Sequence, residues 1–350
     1  MKHPPITEST NRKYWENFSD DELDDYIENL FTQARIHGFP YHTLKPSHKK
    51  EIEKLLKKNY LAFINDGKIS QHMGGLGFLW SFFHHAWEVS CGKGKTPMEN
   101  FLDDDSLKIV IRKRLEAKWA GNFSLPMLYK SLRMFNGAQS VSNFRPTAAS
   151  AVYSYVSAKY FDGNTIKVLD TSAGWGGRLL GAFLSRRVSK YSGFEPSKKS
   201  YSGLCNVRLF LHENFHHNCN IYLINKGSEE IVLPDDDVFD FVFTSPPYYN
   251  TEKYSDEPTQ SWIKFPCYNS WLDGFMRKTC INIKAKCHSE TIVAWNVANV
   301  KTAPTLIDDV DVIMKGLGFD KIDKLDYLMS GRPQKSSFKS EPIIFYKQKE

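Results

Sequence analysis

Thr244-Ser245-Pro246-Pro247-Tyr248 combines a hydroxyl, two prolines and an aromatic ring at the end of an apolar run, Val238-Phe239-Asp240-Phe241-Val242-Phe243. Such a run reads as a buried strand of a parallel sheet, and ligands of such sheets bind at the carboxyl ends of the strands. Two consecutive prolines donate no N–H and fix φ, so the chain leaves the strand in a stiff turn with free carbonyl oxygens. This pattern suits an exocyclic amino group on a flat ring. Ser245 Oγ and the Pro246 carbonyl can accept its two hydrogens, Pro247 stiffens the corner and Tyr248 offers a stacking face.

A second stretch lies upstream. Ile166-Lys167-Val168-Leu169-Asp170 reads as a strand, Thr171-Ser172-Ala173-Gly174-Trp175-Gly176-Gly177 as a glycine-rich turn, and Arg178 to Leu184 as the helix that follows. Small residues let a backbone approach a ligand closely, and Asp170 offers a carboxylate to an amine or a hydroxyl. The next strand, Tyr191-Ser192-Gly193-Phe194-Glu195, ends in an acid 25 positions after Asp170. A Rossmann-like unit places its ribose-binding acid at about that separation.

In this order, the two stretches resemble the S-adenosylmethionine-dependent DNA amino-methyltransferases of the N4-cytosine/N6-adenine type, over roughly Phe144 to the C-terminus. The resemblance implies S-adenosylmethionine as cofactor and a mainly parallel methyltransferase sheet. It further implies that Asp170 holds the methionine ammonium side, that Ser172, Ala173, Gly174 and Gly176 line the cofactor with Thr244, and that Glu195-Pro196 grips the ribose. Gly227 and Ser228, after a strand at 221–224, fall where the family contacts adenine, although the family commonly has an acid in the place of Ser228. Phe144-Arg145-Pro146 resembles the element that covers the cofactor before the first strand. Ser-Pro-Pro-Tyr favours cytosine N4 over adenine N6 as the methyl acceptor. RNA base or protein glutamine methylation, which the family's relatives carry out with Asn in place of Ser245, is the alternative within the enzyme class; a catalytically silent binding subunit is the alternative outside it. A ring-carbon methyltransferase would need a thiolate, and Cys267 in Phe265-Pro266-Cys267 stands away from the strand end that such chemistry uses.

To position these residues the chain must build an α/β sheet. Apolar runs predict strands near 166–170, 191–195, 221–225, 238–243, 291–296, 321–328 and 342–347, with helices between most of them. The last two are separated by Met329 to Glu341, too short for a crossover helix, so they must pair antiparallel and hold residues 330–340 at the catalytic edge. Arg332, Lys335 and Lys339 there, with Tyr249, Lys253 and Tyr254 after the diproline corner, are the candidate nucleic-acid contacts.

Residues 1–140 show helical spacing at Asp20 to Arg35, Ser47 to Tyr60 and Asp104 to Ala117, predicting a mainly helical unit for target recognition before a catalytic domain at 141–350. About 65 residues separate the two motifs, leaving no room for an inserted recognition domain, so a separate specificity partner is the other source of recognition.

The 350 residues carry a formal net charge of +6 and a sequence pI near 8.8, compatible with DNA or RNA as partner. No apolar stretch is long enough to span a membrane, and the polar start lacks a secretion signal, giving an intracellular, cytoplasmic expectation. Six scattered cysteines fit reduced thiols. Cys205, His212, His216, His217 and Cys219 lie close together without a CxxC pair, and no metal is expected.

Overall fold

The computed structural model describes residues 3–70, 72–230, 233–234, 236–328 and 340–349. The chain divides into two compact units, Met1–His42 with His84–Ser142, and Thr43–Phe83 with Asn143–Glu350. The boundary differs from the one expected at 140/141, because residues 43–83 fall in the same compact unit as 143–350.

In the first unit, Ser19 caps the helix Asp20–His37 through a reciprocal bond with Glu22, and three acids in its first turn suit the positive end of the helix dipole. Its inward stripe of Tyr26, Ile27, Leu30 and Ala34 shares one core with Leu107, Val110 and Ile111 of the helix Asp104–Glu116.

The second unit is an α/β sheet. Its strands are β1 (Ile64–Asn65), β2 (Lys68–Ile69), β3 (Ile166–Asp170), β4 (Val188–Phe194), β5 (Asn220–Ile224), β6 (Phe239–Thr244), β7 (Cys287–Asn296), β8 (Phe319–Leu328) and β9 (Ser340–Gln348). They lie in the order β1-β2-β8-β9-β7-β6-β3-β4-β5. β3 pairs parallel with β4 and β6, β4 with β5, and β6 with β7. β9 is antiparallel to both β7 and β8. This is the Rossmann-like, mostly parallel sheet that the sequence predicts, with β9 as the expected reversed strand; β1, antiparallel to β2 at the edge, is a second reversed strand that it does not predict. Among the described residues it has nine strands instead of seven, since β1 and β2 extend the edge beyond β8. Their turn has Asp66 at φ 49° and Gly67 at φ 72°, both left-handed, as a two-residue hairpin of matching twist requires.

Helices cover both faces. Helix α1 (Pro146–Tyr160) is buried along most of its length, with the Tyr153 ring edge-on to Phe241 and Phe243 of β6. Helix α2 (Gly177–Ser185) packs beside it, and α3 (Lys198–Asn214) links β4 to β5. On the opposite face Trp271, Phe275, Ile283, Val310 and Ile313 pack against Val242, Val293 and Trp295. Apolar runs are what a strand covered on both sides needs, which is why the central strands were legible as such.

Candidate active site

The glycine turn leaves β3 and the diproline corner leaves β6. These strands are adjacent and parallel, with Val168 opposite Phe241 and Leu169 opposite Val242, so both turns emerge at one edge of the sheet.

On the glycine side the buried Asp170 carboxylate is fully engaged. It accepts Nε and Nη2 of Arg178 at 2.8 and 3.1 Å, the Tyr191 hydroxyl at 2.6 Å and the Ser172 N–H at 3.1 Å. Arg178 also donates to the Ser172 carbonyl, and its own carbonyl accepts the Tyr153 hydroxyl at 3.2 Å. Burial opposes the guanidinium charge and the Asp170 carboxylate more than offsets it; burial and the same carboxylate drive the Tyr191 phenol well up. The expected ammonium contact of Asp170 is corrected accordingly: its oxygens hold the turn in shape from behind.

Ala173 is tied to the Phe194 carbonyl at 2.8 Å, and Gly176 closes the turn on Ala173 at 3.1 Å. Two glycines differ in meaning. A Cβ at Gly174, where φ is +53°, would meet nothing nearer than the Ser172 carbonyl at 3.8 Å, so that surface is open to a ligand. A Cβ at Gly177 would lie 1.8 Å from the Phe144 carbonyl oxygen, so only glycine lets residues 143–144 lie across the start of α2. Phe144 stacks on Tyr327 at 4.5 Å and meets Phe243 edge-on at 5.5 Å, while Asn143 donates to the Trp175 carbonyl at 2.8 Å. Arg145 is buried beneath Tyr327 and donates to the Leu328 carbonyl at 2.5 Å, and Pro146 opens α1. Phe144 thus lies across the start of α2, while one nitrogen of Arg145 is bonded to β8 and its Nη1 is buried without a partner among the described residues.

Glu195 is buried and accepts the Gly174 N–H at 3.1 Å and the Ser197 N–H at 2.9 Å. Burial outweighs these two bonds and pushes its carboxyl up to about 8. The Pro196 carbonyl receives the Asn225 amide at 3.2 Å and the Thr259 hydroxyl at 3.2 Å. Beyond β5, Gly227 precedes a buried Ser228 whose hydroxyl shares a 2.8 Å bond with Thr279, which removes Ser228 from the expected adenine contact. The next residue is the one the sequence reading missed. Glu229 gives Oε1 to Lys264 at 2.7 Å, and its buried Oε2 has no hydrogen-bond partner among the described residues. An acid one position beyond the family's usual place was the available signal.

On the diproline side Thr244 is buried with an unpartnered hydroxyl, as is Thr171 at the end of the neighbouring strand. Pro246 is buried, while Ser245, Pro247 and Tyr248 are half-buried. The Tyr248 hydroxyl donates to the Asn296 carbonyl at 3.3 Å, with Glu341 at 3.5 Å, so the ring is pinned at its tip between the ends of β7 and β9. Burial drives this phenol up, with Glu341 adding to it.

The loop beyond the corner corrects part of the nucleic-acid reading. Tyr249, at φ 53°, is buried on Tyr268 and Trp271 and donates to the Pro266 carbonyl at 2.5 Å, so it is a core residue. Lys253 is exposed, with its ammonium 5.2 Å from the Trp262 ring. Tyr254 meets Trp175 of the glycine turn edge-on at 5.8 Å and donates to Glu252. Burial raises its phenol most, with the Glu252 carboxylate adding to it. Glu257 in the same loop accepts the Ser197 hydroxyl and the Lys198 N–H at 3.1 Å, closing the loop onto the start of α3. Arg332, Lys335 and Lys339 lie outside the described residues; the strand ends that flank them, Leu328 and Ser340, are opposite each other in the β8–β9 ladder.

The donor set fits S-adenosylmethionine. An open glycine surface, a buried carboxylate tied to it, an unpartnered buried carboxylate oxygen and two unpartnered threonine hydroxyls gather around the ends of β3 to β6.

No protein-family model matches the chain, and no curated protein matches it. Solved structures similar to it include the magnesium protoporphyrin IX methyltransferase of Synechocystis PCC 6803 with bound SAM, at 12% identity and TM-score 0.39 over 58% of this chain and 79% of that one. The N-methyltransferase NodS of Bradyrhizobium japonicum WM9, in complex with S-adenosyl-L-homocysteine, is 10% identical at TM-score 0.36 over 57% and 86%. The ribosomal protein L11 methylase of Lactobacillus delbrueckii subsp. bulgaricus is 11% identical at TM-score 0.38 over 60% and 81%.

Proposed function

We propose that this chain is an S-adenosylmethionine-dependent methyltransferase acting on the exocyclic amino group of a base in DNA, with cytosine N4 favoured over adenine N6. The observation that carries the reading is the emergence of the glycine turn and Ser245-Pro246-Pro247-Tyr248 from adjacent parallel strands, at one edge.

When bound, the cofactor supplies an electrophilic methyl carbon on a sulfonium. Glu195 accepts the ribose hydroxyls, Glu229 Oε2 accepts from the adenine amino group, and Thr171 and Thr244 offer hydroxyls beside the open Gly174 surface. An aromatic amine shares its lone pair with the ring. Ser245 Oγ and the Pro246 carbonyl accept its two hydrogens, which holds electron density on nitrogen, and Tyr248 fixes the ring plane by stacking. The nitrogen lone pair would form the new N–CH3 bond as the methyl's bond to sulfur breaks, that bonding pair staying on the departing neutral thioether; one amino proton is lost to solvent, and no covalent bond to the enzyme forms. In a duplex the base reaches this site only after leaving the stack.

Incubating the protein with DNA and RNA and isotope-labelled S-adenosylmethionine, then analysing nucleosides by mass spectrometry, tests this. Labelled N4-methylcytosine is expected. N6-methyladenine alone would move the acceptor, label confined to RNA would change the substrate, and no label in either polymer would overturn the reading.

A further inference from the structure

Thr43 to Lys58 contains six lysines against two glutamates, a surplus of four in a chain whose whole surplus is six. Lys45, Lys49, Lys50, Lys54, Lys57 and Lys58 are all exposed, and none of them is ion-paired with an acid among the described residues. The helix Pro46–Leu56 buries Ile52 and Leu55 on one side. At 100° per residue, Lys50 and Lys54 fall on the other, and Lys57 and Lys58 follow, exposed, just past the end of the helix. Of the two acids, Glu51 is turned inward, where its carboxylate accepts the Gly75 N–H at 2.9 Å.

Lys50 and Lys54, four apart on the outer face of the helix, repel one another, and a bound anion would relieve that repulsion. The segment is also fixed to the rim of the crevice. β2 pairs with β8 at Asp326 and Tyr327, Tyr327 stacks on Phe144, and Thr147 at the start of α1 donates to the His72 carbonyl at 2.8 Å. The Phe63 carbonyl accepts the Ser70 N–H at 2.8 Å, so the chain that follows the lysines enters the sheet beside the end of β2, which runs toward the catalytic edge.

We infer that the outer face of Lys50, Lys54, Lys57 and Lys58 is a phosphate-tracking surface for the DNA whose base enters the crevice. This rests on the function proposed above and adds to it a site in the catalytic unit itself. Several exposed ammonium groups along one segment are suited to a polyanion rather than to one small anion, and phosphate contacts fix position without reading sequence.

The test is fluorescence anisotropy of a labelled duplex with the full-length parent and the fourfold variant Lys50→Gln/Lys54→Gln/Lys57→Gln/Lys58→Gln, across a salt series. The variant should bind about 10-fold or more weakly at 100 mM salt, with the slope of log K against log salt shallower by about 3 to 4. Its S-adenosylmethionine affinity by calorimetry should be unchanged, which separates lost contacts from lost folding. A parent that methylates DNA but whose salt slope survives the four substitutions overturns this inference alone. A parent that neither binds nor methylates DNA overturns the function as well. Lysine-dependent flotation with phosphatidylserine vesicles, together with unaltered duplex binding, would assign the surface to a membrane and overturn it too.

Discussion

The two halves of the crevice are built in opposite ways. Behind the glycine turn, Asp170 accepts from Arg178, Tyr191 and Ser172, and Glu195 holds the Gly174 N–H, so the polar groups are buried and satisfied before any ligand arrives. Around the diproline corner, Ser245, Pro247 and Tyr248 are half-buried. The contrast implies that the cofactor side is preorganised while the acceptor side keeps its hydrogen-bonding capacity for the substrate, since an unmade bond costs least when a ligand completes it.

The most severe way to break this contrast is Arg178→Ala. It strands a buried carboxylate, and chemical denaturation should read a loss of about 3–5 kcal/mol. A loss below about 1 kcal/mol would mean that the turn does not depend on the network. Saturating S-adenosylmethionine at 100 times its Kd should stabilise the parent by about 2.7 kcal/mol, read as a rise in melting temperature. Tyr248→Ala should lower methyl transfer by about 1–3 kcal/mol of stacking energy while leaving cofactor affinity within twofold, and Tyr248→Phe should keep most of the rate. Loss of cofactor affinity in Tyr248→Ala would erase the division between the halves.

The smallest effect sharpens the cofactor side. Glu195 has its carboxyl at about 8, so at neutral pH the free protein holds it mainly protonated. Ribose hydroxyls donate to the ionised form, so cofactor affinity should rise by up to about 10-fold between pH 7 and 9, about 1.4 kcal/mol. Glu195→Gln should flatten that profile in calorimetry. The linkage to folding runs the other way: the raised pKa contributes stability that is complete below the unfolded value near 4.3 and is lost as pH rises through about 8.

Much of the sheet was legible because its strands are covered on both faces and therefore continuously apolar. The reversed β9 followed from a connection too short for a helix. Residues 43–83 were not legible as part of the same unit: β1 and β2 are two residues each, too short to show any periodicity. The Asp66-Gly67 pair was the one local sign of their hairpin. At the site, an acid at a strand end is visible in sequence, but an arginine eight positions later folding back onto it is not, and so Asp170 was assigned a ligand instead of Arg178. Ser228 and Tyr249 failed for the same reason, since a side chain's partner across the fold leaves no mark on its own neighbours in the chain.

The reversed strand also sets the order in which this protein can be finished during synthesis. β7 and β8 are not neighbours; Ser340–Gln348 fills the slot between them and pairs with both. Until that segment has left the ribosome, two strands expose unpaired edges toward each other, open to pairing with other chains. The asparagine and glutamate that reach the Tyr248 hydroxyl come together only at that last step. A nascent chain arrested before Ser340 would thus hold its cofactor turn already shaped while its acceptor corner waits for its anchor.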